Sequence, residues 1–309
     1  MRKKVVVEKV GEYSGHKGSI FAISPGLNPM ELLSSGDDGV VAKWKLDSRE
    51  NEGEGIFRTE HGIYSILSIP KQGFFVAGGS QGSVYFIEEK SKKVIRLLRN
   101  SPNPVYNLYY DAQNFVIWIL QGNGFLSVVD VKRLETLFHK QISPGNLRGI
   151  CASQREDKVY IGTSDHRILV CSKENYKTLR AWKAHENSVF TLAMHPNGAY
   201  IVSGGRDAHL KFWESRIPND LMEKIAAHNF TVNDIIFSPD GDYFVTASRD
   251  KTLKVWDAYT FELLKVIDNK RNEGHTHSVN RLKWIQRDNT IISCSDDRRI
   301  IQWKLQLTG

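Results

Sequence analysis

One spacing recurs along this 309-residue chain and limits what it can fold into. The last core residue of a short strand pattern returns at Trp44, Ile87, Val129, Cys171, Trp213, Trp256 and Trp303. The intervals between these positions are 43, 42, 42, 42, 43 and 47 residues. A layered domain has no reason to repeat itself at a fixed interval. A period of about 40–45 residues instead marks a unit that cannot bury its apolar face alone and must stack on copies of itself. Seven units predict an all-β, seven-bladed β-propeller with four antiparallel strands per blade, occupying residues 1–309 as one domain.

The fifth unit shows the strands plainly. Val189-Phe190-Thr191-Leu192-Ala193-Met194 reads as a strand, and His195-Pro196-Asn197-Gly198 as a turn in which proline presets φ and Asn-Gly tolerates positive φ. Two further strands, Ala199–Ser203 and His209–Trp213, flank the turn Gly204-Gly205-Arg206-Asp207, and Leu221–Ile225 supplies the fourth. The sixth unit repeats this plan, and the seventh adds the insertion 268–273 before His275. The ends predict how the ring closes. Residues 4–10 occupy a fourth-strand position ahead of the first unit, and the chain ends soon after a third strand at Trp303. Pairing the two would build blade 7 from both termini and cover two open edges.

Four units share a further pattern, with 28 residues from histidine to tryptophan: His16 to Trp44, His185 to Trp213, His228 to Trp256 and His275 to Trp303. With Gly15-His16 and the closing Trp256-Asp257, the chain resembles the WD-repeat family over essentially its whole length. Only the sixth unit ends in the literal Trp-Asp pair. The resemblance implies a hydrogen-bonded chain in each strong blade, running Trp to Ser/Thr to His to Asp. The matching sets are Trp44, Ser34, His16 and Asp38; Trp213, Ser203, His185 and Asp207; Trp256, Thr246, His228 and Asp250; and Trp303, Ser293, His275 and Asp297. Each link is chemically reasonable, since a buried indole N–H needs an acceptor and a hydroxyl can accept and donate onward. A Ser, His and Asp together also suggest a catalytic triad. A nucleophile is needed once, whereas this set recurs four times at fixed spacing, so the structural reading is preferred. Units two, three and four depart from the pattern. Unit two keeps His61 but has Ala77, Gln81 and Ile87; unit three has Ile119, Asn123 and Val129; unit four keeps Asp165 beside Ile161 and Cys171. These three blades are expected to rely on apolar packing and to form the less stable arc.

Two further columns are candidates for partner binding. One follows the first core residue of each inner strand and reads Phe21, Tyr64, Tyr106, Arg148, Phe190, Asn233 and Asn280. The other precedes the turn aspartate and includes Arg206 and Arg249. The resemblance places both near the channel mouth, on the face of the histidine loops. Aromatic and arginine residues dominate binding hot spots, and arginine pairs with carboxylate or phosphate. The competing reading is that these side chains only fill the funnel.

Other signals point away from chemistry. Gly78-Gly79-Ser80-Gln81-Gly82 matches a nucleophile elbow, but that device needs a strand leading into a helix, and here a strand follows. No phosphate loop, paired-histidine metal motif or dinucleotide fingerprint occurs, so neither metal nor cofactor is expected. His139, His166, His195 and His209 are assigned to surface or turns. Three cysteines are too few and scattered for a disulfide framework. The apolar run after Lys4 ends at Glu8, too early for a signal peptide, and no run approaches the roughly 18 residues of a membrane span. Together these favour a cytoplasmic, intracellular protein. The net charge of +7 and the basic clusters Lys90-Ser91-Lys92-Lys93 and Lys270-Arg271 are read as solvated surface. The expected function is therefore non-catalytic: a monomeric scaffold or adaptor for protein or peptide partners, with acidic or phosphorylated ones fitting the arginines. No tail or extra domain is evident, so enzymatic or signalling activity would come from partners. A nucleic-acid-associated subunit and a channel-based enzyme or small-molecule sensor are the rival readings.

Overall fold

The second strand of each blade explains the stacking. Tyr200–Gly205, Tyr243–Ser248 and Thr290–Ser295 are buried at every position. Such strands have neighbouring blades on both faces, so they read as near-continuous apolar runs rather than alternating ones. The outermost strands, such as Leu221–Ala226, are largely exposed. The structure is a computed structural model that describes residues 4–46, 53–215, 220–285 and 289–308. Met1 to Lys3, which begin the N-terminal segment, lie outside the described residues.

Seven four-stranded antiparallel sheets form the ring. In six of them the strands follow chain order from the centre outward. The seventh joins Val279–Ile285, Thr290–Ser295 and Arg299–Thr308 to the N-terminal strand Lys4–Ser14 as its outer member. The pairing runs from Lys4 opposite Thr308 to Ser14 opposite Arg299, with one register shift between Lys9 and Gly11. The closing strand thus extends past the expected residues 4–10, because Tyr13 turns inward. Its ring is 2% exposed and its hydroxyl donates to the Gln302 side-chain carbonyl at 3.0 Å. Val5 and Leu305 add apolar packing across the seam.

The cores lie between successive blades. Val245 and Val255 of blade 6 pack with Leu282, Ile291 and Ile301 of blade 7, and Ala22 and Leu33 of blade 1 with Ile66 and Phe75 of blade 2. Among the described residues, no helix is long and apolar enough to cross a membrane. Cys151, Cys171 and Cys294 are free and buried, and burial raises all three thiols, Cys171 to about 11.

Candidate functional site

Every inner strand carries the same irregularity. Register shifts fall between Ile20 and Ala22, Ile63 and Ser65, Val105 and Asn107, Val189 and Thr191, Val232 and Asp234, and Val279 and Arg281. In blade 4 the shift spans Leu147 to Ile150. The skipped residues are Phe21, Tyr64, Tyr106, Arg148 with Gly149, Phe190, Asn233 and Asn280. An extra residue in one strand of a pair re-aims its side chain. Seven bulges at the same height therefore turn one column of the sequence into the lining of one pocket.

That pocket, of about 250 Å³, is lined by all seven column residues and by Arg281. Phe21 meets Tyr64 edge-on at 5.1 Å between ring centroids, and Tyr64 stacks with Tyr106 at 6.2 Å. The Arg148 guanidinium lies 3.8 Å from the Tyr106 centroid and 5.1 Å from that of Phe190. Four rings and one cation thus line five consecutive blades. Asn233 and Asn280 also face the pocket, but their amide nitrogens donate to the Val279 and Ile20 carbonyls, each at 2.8 Å, and so tie neighbouring blades together. Asn280 donates equally to Asp296, which places the turn column on this same face.

Arg206 and Arg249 sit on exposed turns and do not line the pocket. The missed residue is Arg281, one position after the column. Its guanidinium spans the channel and donates to the Tyr106 carbonyl of blade 3 at 3.3 Å, while Asp234 stands 4.0 Å away. No local spacing announces a contact across the ring. Deeper in the channel Lys283 lines the wall with Arg281 and Asp234, and burial pulls its pKa down. Burial also lowers Arg148, and the like charges of Arg281 and Arg206 add to this against the opposing effect of Tyr106. The Nε of Arg148 is buried without a hydrogen-bond partner. The pocket thus sets the two guanidinia of Arg148 and Arg281 among four aromatic rings.

The polar quartets form the framework around this mouth. In blade 7, Trp303 Nε1 donates to Ser293 Oγ at 2.9 Å, Ser293 meets His275 Nε2 at 2.8 Å, and His275 Nδ1 meets Asp297 at 3.0 Å. Blades 1, 5 and 6 repeat this geometry, with the histidine contacts between 2.7 and 2.9 Å. An ionised carboxylate only accepts, so Nδ1 carries the proton and a neutral imidazole accepts from the hydroxyl. Burial lowers His185 and His228. Burial also opposes ionisation of Asp207, Asp250 and Asp297, but the histidine contacts together with backbone N–H donors outweigh it and hold them below the carboxylate range. His275 and Ser293 are 0% exposed, which closes them to any substrate.

The weaker blades correct the sequence reading. In strong blades the histidine lies five residues before the bulge, as His16 does before Phe21; in blade 2 that position is Thr59. His61 is exposed and is not the counterpart of His16. Blades 3 and 4 do not depend on apolar packing alone. Ser127 joins Gln121 at 3.1 Å and His139 at 2.8 Å, and Asp165 accepts from Ser143 at 3.1 Å and from Arg167 at 2.6 Å. His195 is a turn residue but not a surface one: it is 2% exposed, and its Nε2 meets the Gly241 carbonyl of blade 6 at 2.9 Å. The Gly78–Gly82 stretch turns from one strand into the next. Gly82 has φ +81°, and a Cβ there would meet the Ser101 carbonyl at 1.9 Å.

Comparison with known proteins agrees with this architecture. The "WD domain, G-beta repeat" family model matches residues 176–214, 219–257 and 267–304. The chain is 21% identical over 242 residues to a striatin homolog of Dictyostelium discoideum, covering 67% of this chain and 29% of that protein. It is 22% identical to human striatin-4, covering 72% of this chain and 32% of that one. To THO complex subunit 3 of Arabidopsis thaliana it is 21% identical, covering 66% and 65%. The matched regions thus span only about a third of the striatins. Among solved structures, the WD40 β-propeller domain of Doa1 superposes with a TM-score of 0.85 at 16% identity, covering 97% of both chains. The chain folds as a seven-bladed β-propeller, and the WD-repeat model matches three repeats between residues 176 and 304.

Proposed function

We propose that this propeller is a non-catalytic platform for protein or peptide partners, and that it engages one of them at the channel mouth. The observation that carries this reading is the pocket of about 250 Å³ formed by seven bulge residues and Arg281. Its rings offer rigid apolar anchors, and Arg148 and Arg281 offer charge-assisted donors. The partner group that fits best is an acidic or phosphorylated side chain, inserted over the rings toward the two guanidinia. The quartets are structural in this reading, since they are buried and satisfied. The similarity to striatins and to a THO complex subunit supports an assembly role, and an intracellular compartment suits three free thiols.

The test is affinity purification with quantitative mass spectrometry, comparing the parent with Phe21→Ala/Tyr106→Ala at matched melting temperature. A set of proteins captured by the parent should be lost from the variant. An unchanged set removes the channel mouth from the interaction.

A further inference from the structure

We infer that blade 2 carries a second binding site, for an acidic peptide segment, in a groove at the positions that the quartet histidine and aspartate take in other blades. The same position differs between adjacent blades. In blade 1, His16, Asp38 and Trp44 border a residual cavity of about 150 Å³. In blade 2 the equivalent residues are Thr59, Gln81 and Ile87, and Ala77 stands in the Ser34 column. The imidazole and the carboxylate of the quartet are both missing. Thr59 and Gln81 in their places line a groove of about 1250 Å³, open along the rim and bordered by the outer strands Glu54–Arg58 of blade 1 and Lys93–Leu98 of blade 2, while Ala77 and Ile87 stay buried beneath it.

The lining indicates the occupant. The volume exceeds the roughly 300–1,000 Å³ of small-molecule sites, which favours a peptide segment. Arg58 and Arg99 face the groove, both exposed, and among the described residues neither is paired with a carboxylate. Between Lys90 and Arg99 the outer strand and its leading turn carry five basic residues and no acidic one, and of these Lys92 is paired, with Glu54. Val94, 43% exposed, provides an apolar contact beside Phe57 and Tyr85. Carboxylates flanking an apolar side chain match this arrangement. A nucleic acid matches it less well. Phe57 and Tyr85 pack on each other at 5.2 Å, so neither ring stands free to stack a base.

The experiment is fluorescence anisotropy on the whole chain. The probe is a fluorescein-labelled octapeptide, Glu-Glu-Leu-Glu-Glu-Phe-Glu-Glu, run beside its all-glutamine analogue and a fluorescein-labelled eight-nucleotide oligothymidine. The acidic peptide should bind more tightly than both. Arg58→Glu/Arg99→Glu should weaken it by about tenfold or more, because two exposed attractions become repulsions. Lys140→Glu/Arg133→Glu, on the outer edge of blade 3, should leave binding unchanged. If the double reversal lowers the melting temperature, Arg99→Gln alone decides, with a weakening of about threefold expected. No binding of the acidic peptide, equal loss in the blade 3 control, or tighter binding of the oligonucleotide overturns the proposal. So does a loss confined to Phe21→Ala/Tyr106→Ala, which would assign the peptide to the channel mouth.

Discussion

Replacing Ser293 by alanine removes one oxygen that serves two buried rings. Trp303 Nε1 loses its acceptor at 2.9 Å, and His275 Nε2 loses its partner at 2.8 Å. All three residues are 0% exposed, so water does not take the vacated place. The Ile301 carbonyl, 3.5 Å from the hydroxyl, is too distant to count as a strong third bond. An orphaned buried group costs about 1–3 kcal/mol. Two orphans created by one change are coupled, and the expected loss is about 3 kcal/mol. With an m-value of about 3 kcal/mol/M, the urea midpoint should fall by about 1 M. The assay is urea unfolding followed by tryptophan fluorescence and circular dichroism, whose transitions should coincide. Two companions sharpen it. Ser293→Thr should lose less than about 1 kcal/mol, because blade 6 already uses Thr246 in that column, accepting from Trp256 at 3.0 Å. Ala77→Ser places the same hydroxyl in blade 2, where Ala77 is 0% exposed and no indole awaits, so it should cost about 1–3 kcal/mol. A loss under about 1 kcal/mol for Ser293→Ala, or a gain for Ala77→Ser, would refute the claim that the quartets are hydrogen-bonded supports.

Acidification should destabilise the ring in two stages, read by melting temperature across pH 3–8. The folded state holds His185 and His228 below their ordinary 6.5 and Asp207, Asp250 and Asp297 below 3.8. The unfolded chain therefore binds more protons, first below about 6.5 and then below about 3.8, and stability falls with pH in both windows; a flat profile from pH 7 to 5 would contradict the histidine assignment. Hydrogen exchange should find blades 2, 3 and 4 less protected than blades 5, 6 and 7, since they lack the quartet that each of the latter carries; best protection in that arc would reverse the ranking. Arg148→Met should keep stability within about 1 kcal/mol, because the lost contact with Tyr106 is offset by removing an orphaned Nε. The same variant should lose channel-mouth partners, and a large drop in melting temperature would show that Arg148 is chiefly a structural filler. Leu305→Ala, at a residue 2% exposed on the closing seam, should cost about 2–5 kcal/mol by urea unfolding; a neutral result would mean that closure does not depend on that packing.

The repeat made the architecture legible because each blade is a local unit. Turn residues, strand length and the 28-residue step from His185 to Trp213 are all set within one stretch of chain. Even the closure of blade 7 could be read, since an unmatched outer strand and an unmatched inner trio complete each other. The column Phe21, Tyr64, Tyr106, Arg148, Phe190, Asn233 and Asn280 was visible as an alignment, but the bulge that aims it was not, because bulging is a property of pairing between strands. Tertiary structure alone brought Arg281 to the Tyr106 carbonyl, 175 positions away, and left Arg206 and Arg249 outside the pocket. It also opened the groove beside Thr59, the residue that spacing alone sets at the histidine position of blade 2. Spacing along the chain encodes what each blade contains. The space left between blades depends on side-chain volumes summed over two of them, and the channel on contacts across the whole ring.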